Sequence, residues 1–428
     1  MCWEGGLVVM YRIVVFGGVA FGALVMGLGA SRSQEIDNSW TGVRVGANLG
    51  MGMGSVVAYN TVTSAEVDGL GYESVVGGLF AGYDYEVSPG IVFGIEAGLQ
   101  FFNGEGSMTA LTVADDYEFR SFGAAYAGVR AGVQIAPRTV GYGSISYAAI
   151  HAETSEVTDD PQQTYLNGYR AAVGVETEVM DNITLRLEGT YTQALDTLSI
   201  NDGDDEYTPA HLGAAIGVTY RFGNGNPEGR VAQSPKRSWS GGYVGVQAGG
   251  QASSTVNGFR ELEGPPSEGA VSTIDAAYGI YMGANIQLGD QWVVSLEGDA
   301  VKYGADFAYV ADDSQDFASS DYKAQVSVRF GYLANPDTLI YGRVGYGMMH
   351  MNPEPLFAEL GTEPGYVQTL SGGMGIETMI TENALLRAEG LYNVAIDEYR
   401  FNDSGGGGDA YYAKPTSVEA RVGAAFLF

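Results

Sequence analysis

Alternate positions along this chain differ in character over long stretches. In WTGVRVGANL, Trp40, Gly42, Arg44, Gly46 and Asn48 share one parity, and Thr41, Val43, Val45, Ala47 and Leu49 share the other. An extended strand sends the two sets to opposite faces. WSGGYVGVQA repeats the pattern, with Trp239, Gly241, Tyr243, Gly245 and Gln247 against Gly242, Val244, Val246 and Ala248. ITLRLEGTY sets Arg186 and Glu188 against Leu185, Leu187, Gly189 and Tyr191; ALLRAEGLY sets Arg387 and Glu389 against Leu386, Ala388, Gly390 and Tyr392. HLGAAIGVTYRF puts Leu212, Ala214, Ile216, Val218, Tyr220 and Phe222 on one face. The period is two, and no run of about eighteen apolar residues offers a helical membrane span in the body of the chain.

Eight segments of this kind are predicted in the first half, at 40–50, 74–87, 91–103, 117–135, 140–152, 165–179, 182–194 and 210–222. Eight more follow at 239–250, 276–288, 291–305, 321–334, 339–351, 366–380, 384–396 and 417–428. Several reach the nine to eleven residues that a tilted strand needs to cross an apolar layer. Short turns (SPG at 88–90, APRT at 136–139, MDN at 180–182 and their counterparts GD, NPDT and TEN) alternate with longer acidic connections such as 196–209 and 398–416. Tight turns at one end and long loops at the other predict an all-β fold of transmembrane antiparallel up-and-down barrels. Two tandem eight-stranded units, 34–222 and 238–428, are expected, joined by a polar periplasmic linker at 223–237. The alternative is one sixteen-stranded barrel in which that linker is an overlong turn. Soluble sandwiches or lipocalin-like barrels would demand a mostly apolar core, whereas the polar parity here carries Glu, Arg, Asn and Gln.

Composition narrows the reading further. The 428 residues include 64 glycines, without a collagen-like period, and carry a formal charge of −30. So acidic a chain is unsuited to nucleic acid. Its one cysteine, Cys2, lies before an apolar stretch, Ile13–Leu28, that follows Arg12 and ends in small residues. Residues 1–33, with an uncertain start at Met10, read as a secretory signal peptide.

The halves align, and charged residues recur on the interior parity. Glu96 matches Glu297, Arg130 matches Arg329, and Glu176 matches Glu377; Arg186 and Glu188 match Arg387 and Glu389. Guanidinium forks and carboxylates at such positions predict a barrel-interior charge network, since buried charges need partners. A structural plug is the plain reading, and a narrow ion path the sharper one. No nucleophile accompanies the carboxylates, so neither lipid hydrolysis nor other catalysis is expected. His151 and His350 align at strand ends and His211 stands apart, which makes no three-ligand metal set. P-loop, HExxH and CxxC patterns are absent, and no cofactor or metal is expected. Acidic tips at 202–207 and 311–316 suit a solvated surface better than a calcium site. Phe101, Tyr191, Trp292 and Tyr392 read as interface anchors.

These features resemble the porin-family or opacity-type outer-membrane proteins of alpha-proteobacteria. The resemblance is carried by W-[ST]-G with alternating Gly/Tyr/Val, by VRAGVQIAPRT and VRFGYLANPDT, by GVET–LRLEGTY and GIET–LRAEGLY, and by the closing VTYRF and AAFLF. It implies the outer membrane of a Gram-negative cell. It further implies passage with periplasmic chaperones, insertion by the barrel-assembly machinery, and contact with outer-membrane lipids and lipopolysaccharide. Phe428, with Phe426 on the same parity, would be the insertion signal, and Phe222 an internal relic of one or the mark of a second closing strand. The expected role is structural: a surface barrel that supports the envelope and presents acidic loops. A sixteen-stranded porin for small hydrophilic solutes, or an adhesin acting through loops 51–73 and 253–275, are the alternatives.

Overall fold

The computed structural model describes residues 40–60, 66–109, 116–156, 162–200, 205–222, 238–260, 267–309, 315–353, 358, 361–401 and 410–428. The signal peptide, the linker and most of the two acidic tips named above lie outside the described residues. Nine strands form the first unit: β1 (Gly42–Asn60), β2 (Glu66–Ser88), β3 (Ile91–Thr109), β4 (Asp116–Ala136), β5 (Thr139–Glu156), β6 (Gln162–Met180), β7 (Ile183–Ala194), the short β8 (Leu198–Ile200) and β9 (Asp205–Arg221). The second unit repeats them as β10 (Gly241–Arg260), β11 (Ser267–Leu288), β12 (Trp292–Tyr309), β13 (Gln315–Asn335), β14 (Thr338–Pro353), β15 (Gly365–Met379), β16 (Ala384–Ala395), the short β17 (Tyr399–Arg400) and β18 (Ala410–Leu427).

Each unit closes on itself. β1 pairs antiparallel with β2, Gly42 opposite Asp84, and with β9, Arg44 opposite Arg221. β10 does the same with β11 and with β18, where Tyr243 lies opposite Leu427. Eight long strands thus complete each ring. One bridge, Leu70 to Val271, joins the two sheets without opening either. The sixteen-stranded alternative is therefore not the fold: the ladder returns from β9 to β1 instead of passing on to β10.

Tight turns set the short-turn end, with Gly90 (φ 79°) and Gly289 (φ 64°) in the left-handed conformation that glycine takes at least cost. In outer-membrane barrels this end faces the periplasm. The strands exceed the predicted segments mainly at the opposite end. Residues 51–60 and 66–73, read from sequence as loop, continue β1 and β2, and residues 253–260 and 267–275 continue β10 and β11. Hairpins that leave the apolar layer keep their ladder, because backbone pairing does not depend on side-chain alternation. Trp40 and Trp239, expected as the first residues of strands, precede β1 and β10.

The two faces are inverted relative to a soluble protein. Ile95 points outward at 62% exposure and Val326 at 58%, while Arg130 and Arg329 point inward at 1%. Contiguous exposed aliphatic surface is a liability in water, but it is what lipid requires of a closed sheet. Aromatic rings gather at the short-turn end. Trp292 stacks on Phe330 at 4.9 Å, Tyr220 meets Phe222 at 4.8 Å, and Phe426 lies 6.5 Å from Phe428. They form the girdle expected at one membrane interface.

Candidate functional site: two ion-paired interiors and the seam between them

In the first barrel, β3 presents Glu96 to the centre. Arg44 of β1 donates to it at 2.6 Å, Arg186 of β7 at 2.8 and 3.1 Å, and Tyr126 at 3.2 Å. Glu176 accepts from Arg130 at 3.0 Å, Thr184 at 2.7 Å and Arg221 at 3.3 Å. Glu188 is held by Arg170 and Arg186 and by the Tyr142 hydroxyl at 2.7 Å. Asp84 is shared by Arg44 at 3.1 Å, Arg221 at 3.1 Å and Arg130 at 3.5 Å. These ionised groups are all at least nine-tenths buried.

The second barrel builds the same centre. Glu297 accepts from Arg329 at 2.9 Å, Arg343 at 3.1 Å, Arg387 at 2.7 Å and Tyr243 at 2.7 Å. Glu377 accepts from Arg329 at 3.2 Å, and Glu389 pairs with Arg343 at 3.1 Å and Arg387 at 3.2 Å. Tyr341 donates to Glu389 at 2.6 Å, as Tyr142 does to Glu188. Arg130 lies over the Tyr142 ring at 4.2 Å and Arg329 over Tyr341 at 3.7 Å. The room for these rings comes from Gly174 and Gly375. A Cβ on Gly174 would stand 2.5 Å from the Tyr142 oxygen, and one on Gly375 would meet the Tyr341 ring. All ten charged residues singled out from the repeat lie in these interiors.

Sequence reasoning missed the partners that the repeat does not share. Arg170 stands where the second copy has Ser371, and Arg343 stands where the first has Ser144. Lys323, Asn393 and Glu419 form a further buried group, with Lys323 donating to Asn393 at 2.7 Å and paired with Glu419. Arg421 reaches Asp299 at 3.2 Å. Inward parity was the signal that marks these residues.

Apolar layers seal the charged layers. Trp40 and Trp239 are buried beneath the periplasmic mouths, held through their backbone N–H groups by Glu86 at 3.1 Å and Gln287 at 2.9 Å. Arg221 lies over Trp40 at 4.7 Å, and the Trp239 indole donates to the Pro336 carbonyl at 3.1 Å. Above the first network, Val76, Phe80, Phe102, Ile150 and Leu166 belong to one packed interior cluster. His211 sits there, bonded to Ser74 at 2.8 Å with the Phe102 ring at 4.2 Å. Among the described residues no group of three metal-binding side chains occurs. His151 and His350 lie on the outer surface, beside Tyr165 at 4.9 Å and Tyr322 at 4.8 Å.

The barrels touch along a seam that uses equivalent strands of each repeat. Gly189 of β7 faces Ala420 of β18, and Gly390 of β16 faces Ala214 of β9. These two contacts are related by a pseudo-two-fold axis between the barrels. Leu187, Val175, Ile376, Leu386 and Ala388 pack together toward the periplasm, and Met53, Tyr191, Leu212, Ala252, Ile274 and Val418 toward the exterior. Hydrogen bonds close both ends. Thr139 meets Thr338 at 3.0 Å at one, and Ser55 donates to the Ser272 carbonyl at 3.3 Å at the other. Glu73 of β2 accepts from Tyr392 at 2.7 Å and from Thr416. Tyr191 and Tyr392, expected as interface anchors, are thus seam residues. Phe101 and Trp292 do face outward, at 50% and 43% exposure.

A closed antiparallel sheet with an aliphatic exterior and a paired polar interior defines a transmembrane β-barrel protein. The chain belongs to the outer membrane protein β-barrel domain family, whose model matches residues 21–222 and again residues 230–426. It is a protein of the Gram-negative outer membrane. No curated relative matches it in sequence. Among solved structures, Neisserial surface protein A is 12% identical over 42% of this chain and 98% of its own, with a TM-score of 0.27. OprG of Pseudomonas aeruginosa is 16% identical over 44% and 97%, with a TM-score of 0.31. The toluene transporter TodX of Pseudomonas putida is 10% identical over 90% of each, with a TM-score of 0.27.

Proposed function

We propose that this chain is a non-conducting, non-enzymatic structural pair of barrels of the opacity type from an alpha-proteobacterium. It braces the envelope and holds acidic loops outside the cell. The observation that carries this reading is the filling of both interiors. Charged side chains pair across each barrel, and packed apolar layers lie along the same axis. An eight-stranded barrel is only wide enough for side chains, and a conducting path needs a continuous polar column. Phe426 and Phe428 serve as the insertion signal for the barrel-assembly machinery, after delivery by periplasmic chaperones.

The test is single-channel recording on the full chain in planar bilayers, where no stable conductance steps are expected. Reproducible large steps from folded, heat-modifiable protein would overturn the reading. Adhesion is a second reading, favoured by the outer hairpins that continue as ladder beyond the apolar band. Shortening residues 51–73 or 253–275 is a poor test of it, because Ser55, Glu73 and Ser272 in those stretches hold the seam. Exchange of the acidic tips alone should abolish adhesion if they carry it, and leave it intact if they do not.

A further inference from the structure

On the outer surface of the second barrel a row of polar-tipped side chains crosses five neighbouring strands. Tyr278 of β11 lies directly opposite Lys302 of β12, and Lys302 opposite Tyr322 of β13. Tyr322 stacks on His350 of β14 with an interplanar angle of 13°, and its hydroxyl meets that of Tyr366 of β15 at 2.7 Å. The row stands about ten or a few more residues above the periplasmic turns, the span a tilted strand needs to cross the apolar layer. It therefore sits where the outer leaflet's headgroups begin.

Lys302 is the notable member. Its side chain is exposed, and among the described residues it has no ion-pair partner. The nearby carboxylate, Asp321, is engaged by the His350 ring at 2.8 Å. The first barrel carries the outward-facing Phe101 at the matching position. Directly toward the periplasm from Lys302, the same face of β12 presents Ala300 and Gly298, and Ala324 lies opposite Ala300 on β13. An added Cβ at Gly298 would meet nothing closer than 3.9 Å, so that position opens to the membrane. Taller side chains border this strip, with Ile280 and Met282 on one side and Val326 on the other, all largely exposed. A cation thus heads a short, shallow apolar furrow over Ala300 and Gly298, bounded below by the outward Leu296.

We infer that Lys302 and the furrow below it dock a phosphorylated glycolipid of the outer leaflet. Its sugar phosphate meets the ammonium between the Tyr278 and Tyr322 hydroxyls, and an acyl chain lies over Ala300 and Gly298. Charge complementarity selects this occupant: a cation at headgroup depth, without an ion-pair partner among the described residues, fits an anionic lipid. The inference rests on the outer-membrane placement and is independent of whether the interiors conduct.

The test is native mass spectrometry of the full chain in detergent, titrated with diphosphoryl lipid A. Lys302→Ala should retain about tenfold less lipid, the loss of one charge-assisted contact. Gly298→Leu, which fills the furrow and leaves the lysine, should also weaken retention, while Lys414→Ala, an exposed lysine of β18, should not. Each variant is first checked for heat-modifiable migration, and all three side chains point outward, away from the interior networks. Equal retention by wild type and Lys302→Ala would overturn the site. Equal retention of phosphatidylglycerol and lipid A by the wild type would overturn the assignment of a phosphorylated sugar.

Discussion

Replacing Glu297 by glutamine removes a carboxylate that three guanidiniums and a phenol share. Arg329, Arg343, Arg387 and Tyr243 all donate to it within 3.1 Å. The amide keeps the shape but offers one acceptor oxygen, and turns an NH2 toward groups that are themselves donors. Each arginine keeps another partner: Glu377 for Arg329, Asp299 and Glu389 for Arg343, and Glu389 for Arg387. The loss is therefore that of one partner from a buried cluster, about 3–5 kcal/mol. At a urea slope of about 2 kcal/mol/M, the midpoint falls by about 1.5–2.5 M. The assay is equilibrium unfolding in micelles, followed by loss of the heat-modifiable band and by tryptophan emission. Trp239, buried at the mouth of the same barrel, reports the event. A variant with Trp239 retained and Trp3, Trp40 and Trp292 replaced by phenylalanine isolates that signal. A loss below about 1 kcal/mol, the value of a solvated ion pair, would refute the reasoning. It would mean that water reaches Glu297, and that the interior is a wet lumen.

Other consequences are as direct. Tyr142→Phe and Tyr341→Phe each delete a hydroxyl bonded to a buried carboxylate, Glu188 or Glu389. Each should cost about 1.5–3 kcal/mol in the same unfolding assay, and no loss would place those carboxylates in water. With a protease site built into 223–237, the cut halves should stay together on unheated gels in mild detergent, held by the seam. Gly189→Leu with Gly390→Leu should release them, because a Cβ at these positions already stands 2.6 and 2.8 Å from the facing alanine methyls; halves that separate without those substitutions would refute the seam. Deleting Phe428 should lower the membrane-assembled, heat-modifiable fraction, whereas Phe222→Ala should not, as seen by fractionation of cells.

The strand period was legible wherever one face meets lipid and the other meets the interior, as in ITLRLEGTY and ALLRAEGLY. It failed above the membrane. In GMGMGSVV and the stretches that follow, neither face is sorted by lipid, yet β1 runs on to Asn60. The shared charges were legible because they occur twice. Arg44, Arg170 and Arg343 were not, because their counterparts Tyr243, Ser371 and Ser144 carry no charge and repetition could not flag them. The seam was hidden for a different reason. Outward leucines and alanines satisfy lipid and a neighbouring barrel equally, so Leu187 and Leu386 look the same in either setting. Glu73 was the available clue: a carboxylate on an outward parity of β2 needs a partner that lipid does not supply, and Tyr392 of the other barrel supplies it.

The two copies have kept the same centre and extended it in opposite directions. In the first barrel, charge continues toward the periplasm through Arg44, Asp84 and Arg221, and the outer half is closed by Phe80, Phe102, Ile150 and Leu166. In the second, charge continues outward through Asp299, Arg343, Arg421 and Lys323. There the periplasmic half is closed by Trp239, Leu333, Leu339, Leu385 and Leu427. A pore selects for a continuous column of hydratable groups, and extensions in opposite directions would still leave one in each copy. Here each extension is matched by an apolar layer on the other side of the shared centre. Burial makes every added charge require a partner, which is why Arg221 comes with Asp84 and Lys323 with Glu419. An apolar cluster packed against one side of a charged centre is the property both interiors share, reached with different residues at opposite ends.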